Sequence, residues 1–386
     1  MRRAFVLAGL LALGAVPAAA QSSQFGVRGL GFPNTPAGAR SRAMGDAFGL
    51  FDPESGENPA ALAYLTELTA SFSLLNDRRT VENPAGDASL RSMRFPFFQV
   101  ASAFRNVPLS VGIGASTYAA RDFAVSFRDT VDVRGVPTET LDTLRASGGI
   151  TDLRGAVVWR IDPRTALGGT VHLFTGVSRT DRSRYFQDSG YVSIHERAEV
   201  SASGSGFDLG LIKRLGARVT FAAVARSDGQ VEIQRDSIAG SAYRVDLPIS
   251  LAAGLLWRAG PRLALAAQGR FIGWSSADAA LSGAGGTGAR DVWQFGVGGE
   301  YLRDGERPER WPIRFGVRHA GLPFPLLAGG APSETAVSAG TGIRFANGMA
   351  GVDLSLERVW RGEGDAFHER AWLIGLSASL RPGGRR

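Results

Sequence analysis

The sequence predicts an all-β protein: a transmembrane antiparallel β-barrel of about 14 strands, preceded by an N-terminal plug (hatch) segment. Three observations carry this prediction. Apolar and polar residues alternate over segments of strand length, short and long connections alternate between those segments, and the tryptophans stand near the strand ends. Along the chain we expect a signal peptide over residues 1–20, a hatch segment over 21–65, the barrel over 66–380 and a tail over 381–386.

The first twenty residues have the pattern of a secretory signal peptide. Two arginines follow Met1, residues 5–16 are apolar, and three alanines precede Gln21 as a small-residue cleavage site. The apolar stretch is too short to cross a bilayer as a helix, and no later run of roughly eighteen uncharged apolar residues replaces it. These features predict export through the periplasm and exclude a helical membrane protein.

In several segments between residues 66 and 380 the side chains alternate as the lipid-facing and lumen-facing residues of a membrane strand do. In 350–358 the apolar residues Val352 and Leu354 alternate with polar ones, and in 245–257 the apolar set begins at Val245 and leaves Asp246 on the lumen side. A helix would scramble such sets. We place strands near 66–76, 92–105, 109–120, 150–161, 165–178, 204–214, 217–226, 244–257, 262–275, 290–302, 311–319, 335–346, 349–360 and 370–380.

The connections between these strands alternate in length. Outer-membrane barrels have short periplasmic turns and longer external loops. The alternation therefore predicts an even strand number, both termini in the periplasm and a location in the bacterial outer membrane. Several short connections contain the Asn-Gly, Gly-Pro or Asp-Pro pairs that close tight turns. The short connections are 106–108, 162–164, a turn centred on Gly216, 259–261, 303–310 and 347–348.

The tryptophans give an independent indication, because amphipathic rings concentrate at the two membrane–water interfaces. A soluble β-sandwich would bury tryptophans in mid-strand as often as at strand ends, so their distribution favours the barrel. On this topology the periplasmic rim takes Trp159, Trp257 and Trp311, and the external rim takes Trp274, Trp293, Trp360 and Trp372.

A set of charged residues falls on predicted lumen-facing positions. Such charges either pair across the barrel and hold a plug, or give an aqueous pore its selectivity. The candidates are Arg154, Asp246, Arg270, Glu300, Arg314, Arg318, Arg344, Asp353 and Glu357. An apolar cargo would need an apolar patch instead, for which the candidates are Phe48, Leu50 and Phe51 in the hatch segment and Phe324, Leu326 and Leu327 in the 320–334 loop.

Little in the composition favours catalysis or nucleic-acid binding. The chain has no cysteine, and its net charge of +7 comes without a basic cluster interleaved with aromatic residues. The four histidines, at positions 172, 195, 319 and 368, lack metal-ligand spacing, and the glycine-rich run over 283–288 lacks the Lys-Ser/Thr of a phosphate loop. We therefore expect no catalytic residue, no cofactor, no metal site and no enzyme. A hydrolase built on His172 or His319 is a third alternative.

The most distinctive run lies before the first strand, from Gly38 to Leu65. It reads GARSRAMGDAFGLFDPESGENPAALAYL, and it resembles the N-terminal signature of the long-chain fatty-acid transporter (FadL-like) superfamily of outer-membrane barrels, more closely its PorV-like branch. The matching residues are Ala39, Arg40, Met44, Gly45 and Ala47, then Asp52, Asn58, Pro59, Ala60 and Leu62. The sequence departs from the family in its acidic loop over 51–57 and in continuing past Leu380 instead of ending on an aromatic residue.

The resemblance implies that this segment folds into the barrel as a hatch. Arg40, Met44 and Gly45 would belong to it, and Asn58-Pro59-Ala60 would line the occluded route. An alternative is that Asn58 caps a short helix with Pro59 at its first position, and both interpretations can hold together.

The family also implies the candidate functions. The first is passive transport of hydrophobic or amphiphilic, fatty-acid-like molecules. The second is a PorV-like accessory, shuttle or anchor in protein secretion. The expected partners are outer-membrane lipid, the barrel-assembly machinery and a hydrophobic small-molecule ligand, or a secreted protein in the second case, and no nucleic acid.

Overall fold

The computed structural model describes residues 23–83, 86–188, 190–235, 242–283, 286–304 and 311–382. The predicted signal peptide, the first two residues of the predicted hatch segment and the last four residues of the predicted tail lie outside these ranges. Within them, no helix combines the length and the apolar character needed to cross a lipid bilayer.

One antiparallel sheet closes on itself to form a barrel, because the last strand pairs with the first strand of the wall. In the described ranges, all strands but the short β1 belong to this wall, and three wall strands are each built from two consecutive segments. The predicted all-β barrel of 14 strands is thereby confirmed. The strands are β1 (Phe32–Pro33), β2 (Thr69–Asn83), β3 (Gly86–Ala103), β4 (Leu109–Ala120), β5 (Phe123–Val133), β6 (Val136–Asp162), β7 (Thr165–Phe186), β8 (Ile194–Arg214), β9 (Val219–Ser227), β10 (Gln230–Arg235), β11 (Tyr243–Asp246), β12 (Ile249–Arg258), β13 (Leu263–Ile272), β14 (Val292–Tyr301), β15 (Ile313–Gly321), β16 (Ser333–Phe345), β17 (Ala350–Glu363) and β18 (Phe367–Leu380).

Helical structure is confined to short pieces that lie outside the wall strands. The described α-helices are α1 (Ala39–Ala43) and α2 (Asp278–Gly283), and the described 3₁₀ turns are Gln24–Gly26, Gly49–Phe51, Pro59–Tyr64 and Trp274–Ala277. The described residues of the short connections predicted from the sequence lie at one end of the barrel, which we call the turn end; the opposite end is the loop end. Both ends of the wall, at Thr69 and Leu380, are at the turn end.

The alternation predicted for the wall is present in the side-chain exposure. On β15, Ile313, Phe315 and Val317 are about half exposed on the outer face, whereas Arg314 is 4% exposed and faces inward. Since a lipid-facing surface must be apolar and a lumen can hold charges, this division is what a membrane barrel requires.

The strands are longer than the sequence indicates. β6 begins at Val136, not near residue 150, and contains 27 residues. At about 3.3 Å per residue it is roughly 90 Å long, whereas an outer-membrane apolar band is about 25 Å tall. β5 to β8 therefore continue beyond the membrane at the loop end. There both faces of a strand meet water, so the alternation that marks membrane strands is lost.

One predicted alternating set is wrong at its start. Val245 and Leu247 are buried, whereas Ile249 and the following outward residues of β12 are exposed. The wall strand is interrupted at Leu247-Pro248, between β11 and β12, and the two faces exchange there. Asp246 is consequently exposed, where it accepts a hydrogen bond from Gln230 at 2.7 Å, and it is not a lumen residue.

Six of the tryptophans are exposed on the outer face near strand ends, but the predicted rim position of Trp274 is wrong. Its ring is 3% exposed, and it packs edge-on against Phe324 with the ring centroids 4.9 Å apart. The 3₁₀ turn that contains Trp274 folds into the loop end of the barrel. There the large aromatic ring is stabilised by burial.

The wall has a gap in its hydrogen bonding at the loop end. β3 and β4 pair only from Phe97 opposite Ser116 toward the turn end. Beyond that point the remainder of β3 pairs with β2 alone, and β5 pairs with β6 alone. The short strand β1 pairs with Ala119 and Ala120 at the base of this gap.

Candidate functional site

Residues 23–65, which we call the N-terminal segment, run through the barrel from the loop end to the turn end. At the loop end the Ser23 hydroxyl donates to the Glu369 carboxylate over 2.7 Å. At the turn end Leu62 and Leu65 pack with Val158 of β6. Between these points α1 contacts β15 to β18, and the 3₁₀ turn at residues 59–64 contacts β3, β4 and β6 to β8. The segment therefore touches the inner wall on several sides.

The residues after α1 lie directly against wall glycines. Met44 is fully buried, and the backbone of Met44 and Gly45 occupies the space that β-carbons on Gly298 and Gly316 would take. Gly45 has φ +63°, which glycine adopts readily, and its amide donates to the Ser338 hydroxyl over 3.1 Å. The Met-Gly pair of the motif thus docks by backbone on a wall patch without side chains.

Arg40 joins a chain of ion pairs on the same side of the lumen. Its guanidinium lies 2.8 Å from the Glu300 carboxylate and 4.4 Å from the centre of the Phe48 ring. Glu300 also pairs with Arg314 at 2.7 Å, and Arg314 pairs with Asp353 at 2.7 Å. A further predicted lumen residue, Arg344, completes the chain at 2.8 Å from Asp353.

The remaining inward charges also contact the N-terminal segment. Arg318 pairs with Asp46 of the segment and, at 3.5 Å, with Glu357 of β17. Arg270 pairs with Glu57 of the segment at 2.5 Å. On the other side, Arg154 donates to the carbonyl oxygen of Gly56 over 2.6 Å. The eight predicted lumen charges other than Asp246 thus face inward, and sequence reasoning did not identify Glu57 as a partner.

Asn58 caps the 3₁₀ turn and lies against the wall. Its side-chain oxygen accepts from the Ala60 amide at 3.0 Å, Pro59 occupies the first position of the turn, and its side-chain nitrogen donates to the Leu50 carbonyl at 2.9 Å. The segment passes so close to β7 and β8 here that neither Gly168 nor Gly210, which are cross-strand partners, has room for a β-carbon. Asn58 therefore caps the 3₁₀ turn at the same place where the segment packs against β7 and β8.

Two carboxyl groups of the segment are buried in this packing. Burial raises the pKa of the Asp52 carboxyl to about 6, although the nearby Arg40 opposes the change. Burial likewise raises the pKa of the Glu57 carboxyl to about 7, against the opposing effect of Arg270. The docked segment therefore binds protons more tightly than a hydrated segment would.

A second charged cluster, which sequence reasoning missed, surrounds His172. Its Nδ1 lies 2.8 Å from Asp152 and its Nε2 lies 2.9 Å from Asp208, so the doubly protonated ring matches both partners. Arg226 lies 3.3 Å from Asp152 and 2.5 Å from Asp228. All of these residues except Asp228 fall within predicted strands, and Asp228 lies just beyond the predicted strand 217–226. Only the register between strands brings them together. Within the described ranges, no group of three or more His, Asp or Glu side chains is placed to hold a metal ion.

A cavity of about 490 Å³ opens at the loop end above this cluster. Apolar side chains from the wall, α2 and the N-terminal segment form much of its lining, with Ile150, Ile233 and Leu30 among them. Three arginines also line it, at positions 28, 121 and 235. Among the described residues, none of these arginines has a carboxylate within ion-pair distance. The carboxylate that lines the cavity, Glu199, is paired with Arg179 at 2.7 Å. The cavity thus combines apolar walls with uncompensated positive charge.

The predicted apolar candidates do not form one patch. Phe48, Leu50 and Phe51 pack with wall residues such as Leu256, in a cluster nearer the turn end. Phe324 belongs to the loop-end cluster with Trp274, and Leu326 packs at the margin of a third cluster around Phe25. Leu327 is exposed.

A closed barrel with an apolar outer face, a charge-paired lumen and irregular chain inside it is the architecture of an outer-membrane β-barrel. Solved structures with this fold include a Pseudomonas aeruginosa FadL homologue, 14% identical over 91% of this chain and 99% of that one, with a TM-score of 0.65. The Ralstonia pickettii toluene transporter TbuX matches at 16% identity over 90% and 98% of the two chains, with a TM-score of 0.58. The Pseudomonas putida toluene transporter TodX matches at 14% identity over 90% and 99%, with a TM-score of 0.56.

No protein-family model matches the sequence, and no curated protein matches it. The resemblance to FadL-like barrels seen in the sequence is confirmed in the fold, which implies an outer-membrane location. Of the three solved structures, two are named toluene transporters and one a FadL homologue.

Proposed function

We propose that the barrel is a passive channel that admits hydrophobic or amphiphilic, fatty-acid-like molecules across the outer membrane, with the N-terminal segment as its hatch. No bond is made or broken. The observation that carries the proposal is the loop-end cavity, because its apolar lining can hold a hydrocarbon chain and its arginines can hold an anionic head group. Two of the solved structures with this fold are named toluene transporters, which supports a hydrophobic cargo.

The hatch role rests on how the segment is held. It is tied to the wall by ion pairs at Arg40 and Glu57, by backbone packing at Met44-Gly45 and by the Asn58-Pro59-Ala60 contact with β7 and β8. These contacts are separate and noncovalent, so they can be released while the barrel stays closed. A molecule leaving the cavity toward the periplasm would need that release.

The same proposal includes the route by which the protein reaches its site. Residues 1–20 would direct export and be removed, residues 21–65 would form the hatch unit and 66–380 the barrel, and the barrel-assembly machinery would insert the chain into outer-membrane lipid. The exposed apolar outer face supports insertion, because soluble proteins rarely expose so large a continuous apolar surface to water.

The cavity is tested by comparing an acid with its ester. We expect a fluorescent polyene fatty acid to bind the purified protein more tightly than its methyl ester. Replacing Arg121 and Arg235 by glutamine should weaken binding of the acid at least about tenfold and leave the ester unchanged, because a single hydrogen bond to a charged group contributes about 1.5–3 kcal/mol. A matched control replaces Arg197 and Arg244, which are exposed and already paired with carboxylates that do not line the cavity. Equal binding of acid and ester to every variant would contradict the proposed amphiphile.

A second candidate function is a PorV-like accessory or anchor for secreted proteins. The observation that favours it is the edge of β5 at the loop end, where the backbone has hydrogen-bonded neighbours on one side only, from β6. Such an edge can accept an extended peptide from another protein. Repeated recovery of one exported protein with the barrel, together with no binding of either lipid probe, would favour this candidate over transport.

A further inference from the structure

The turn end of the barrel carries a band of positive charge. We call it the basic band and define it by residues 105–108, 160–164, 213–218, 258–262 and 303–304. Nine residues in these ranges are arginine or lysine and two are acidic. All nine basic side chains are exposed.

The band is continuous along one part of the rim. The backbone amide of Arg214 donates to the carbonyl of Arg164, and that of Arg258 donates to the carbonyl of Arg218. Neighbouring strands therefore set basic residues side by side. Like charges at this spacing repel each other unless anions lie between them.

The protein itself supplies few such anions. Among the described residues, none of the nine basic side chains has an ion-pair partner. Asp162, one of the two acidic residues, accepts the amide of Arg164 at 2.5 Å and so closes its own turn. At the loop end, by contrast, the exposed Arg179, Arg197 and Arg244 each pair with a carboxylate.

The level of the band fits a membrane interface. Arg160 and Arg258 directly follow Trp159 and Trp257, whose rings are exposed on the outer face. Exposed tryptophans of a barrel lie at the level of the lipid head groups. Arg160 itself donates to the carbonyl oxygen of Ala63 over 2.6 Å. The arginines of the turns beyond it are long enough to reach the head groups and to keep their charge in water.

We propose that the basic band binds the head groups of anionic phospholipids in the leaflet at the turn end. The partner is defined by charge complementarity: a row of exposed cations at head-group level, without ion-pair partners among the described residues, fits a row of lipid phosphates. This binding needs no transport and no hatch movement, so it stands independently of the proposed function.

The test counts lipids retained by the detergent-purified full chain in native mass spectrometry, after equilibration with an equal mixture of phosphatidylglycerol and phosphatidylethanolamine. We expect the wild type to retain the anionic lipid preferentially. Replacing Arg164, Arg218 and Arg262 by glutamine should lower that preference about fivefold for each arginine removed, since a basic residue near an anionic surface contributes about 1 kcal/mol.

The matched control replaces Arg179, Arg197 and Arg244, which have the same charge and similar exposure at the loop end. It should retain the wild-type preference within about twofold, because exposed paired charges contribute little. A wild type without preference, or an equal loss in both triple variants, would overturn the proposal. Binding of poly-glutamate in place of phosphatidylglycerol, lost with the turn-end variant, would assign the band to an acidic protein and would also overturn it.

Discussion

The side-chain oxygen of Asn58 occupies the position that a β-carbon on Gly210 would take. Asn58 also holds Leu50 and Ala60 of its own segment by hydrogen bonds, so its side chain cannot turn away without losing them. A residue of the N-terminal segment and a residue of the wall are therefore matched in shape, and the match depends on the absence of a side chain at position 210.

Gly210→Ala should loosen the N-terminal segment. The added methyl group overlaps Asn58, and overpacking of this kind costs about 1–3 kcal/mol, so the undocked state should become at least about fivefold more populated. Because the chain has no cysteine, a single Ala60→Cys substitution reports docking through its labelling rate with a water-soluble maleimide. The matched control is Gly155→Ala on β6, where a β-carbon meets nothing within 4 Å. Equal labelling in both variants would show that the contact does not hold the segment.

Docking of the segment should weaken as the pH rises. The docked pKa values of Asp52 and Glu57 are about 6 and about 7, above their ordinary values of 3.8 and 4.5. At a pH below the ordinary pKa values, both carboxyl groups are protonated whether the segment is docked or undocked. As the pH rises above those values, the carboxyl groups lose their protons in the undocked state but keep them in the docked state. Docking is therefore progressively destabilised until the pH passes about 7. Labelling of Ala60→Cys, normalised to an exposed reference cysteine at Thr130, should rise over this range.

The control for the pH dependence is Glu57→Gln, which removes the group with the larger shift. Its labelling should rise less steeply with pH than that of the parent variant. A labelling rate that falls as the pH rises, or a slope that Glu57→Gln leaves unchanged, would contradict the assignment.

His172→Leu should destabilise the barrel. The substitution leaves Asp152 and Asp208 without the buried cation that bridges them, and removing one partner of a buried ion pair costs about 3–5 kcal/mol. Denaturant titration of the protein refolded into vesicles measures this loss. His319→Leu is the control. His319 is exposed, and among the described residues its ring makes one hydrogen bond, to Thr335 at 2.9 Å. The substitution should change the stability by less than about 0.5 kcal/mol. Equal losses of stability in the two variants would mean that the His172 cluster does not stabilise the barrel more than an exposed histidine does.

The sequence predicts the wall well and the lumen only in outline. Alternation with period two identifies which residues of β15 and β17 face inward, because lipid on one side and polar groups on the other act on every residue in the membrane. The requirement for alternation ends where the strands leave the membrane, so the long extension of β6 shows no alternating pattern by which it could be predicted. The inversion at Leu247-Pro248 carried a cue in the proline, which strands tolerate only at interruptions or edges.

Pairings in the lumen depend on which strands are neighbours and in what register. Arg154 could be assigned to the inner face from its own strand, but its contact with Gly56 joins residues far apart in the sequence. The Asp152–His172–Asp208 cluster needs three adjacent strands in register for the same reason. The alternative that Asn58 caps a helical turn can be read from the sequence because capping is local, whereas its fit to Gly210 depends on distant residues.

The central claim is that the N-terminal segment must move for cargo to pass, and a disulfide tether tests it most directly. A β-carbon on Gly375 of β18 would lie 3.7 Å from the β-carbon of Ala39 in α1, within the range that disulfides span, if the Ser355 hydroxyl turns aside. The measurement is uptake of a labelled fatty acid by cells that carry the Ala39→Cys/Gly375→Cys protein. We predict that oxidation lowers uptake to the level of cells without the protein, that a reductant restores it, and that neither single variant responds. Wild-type uptake by the oxidised double variant would contradict the account.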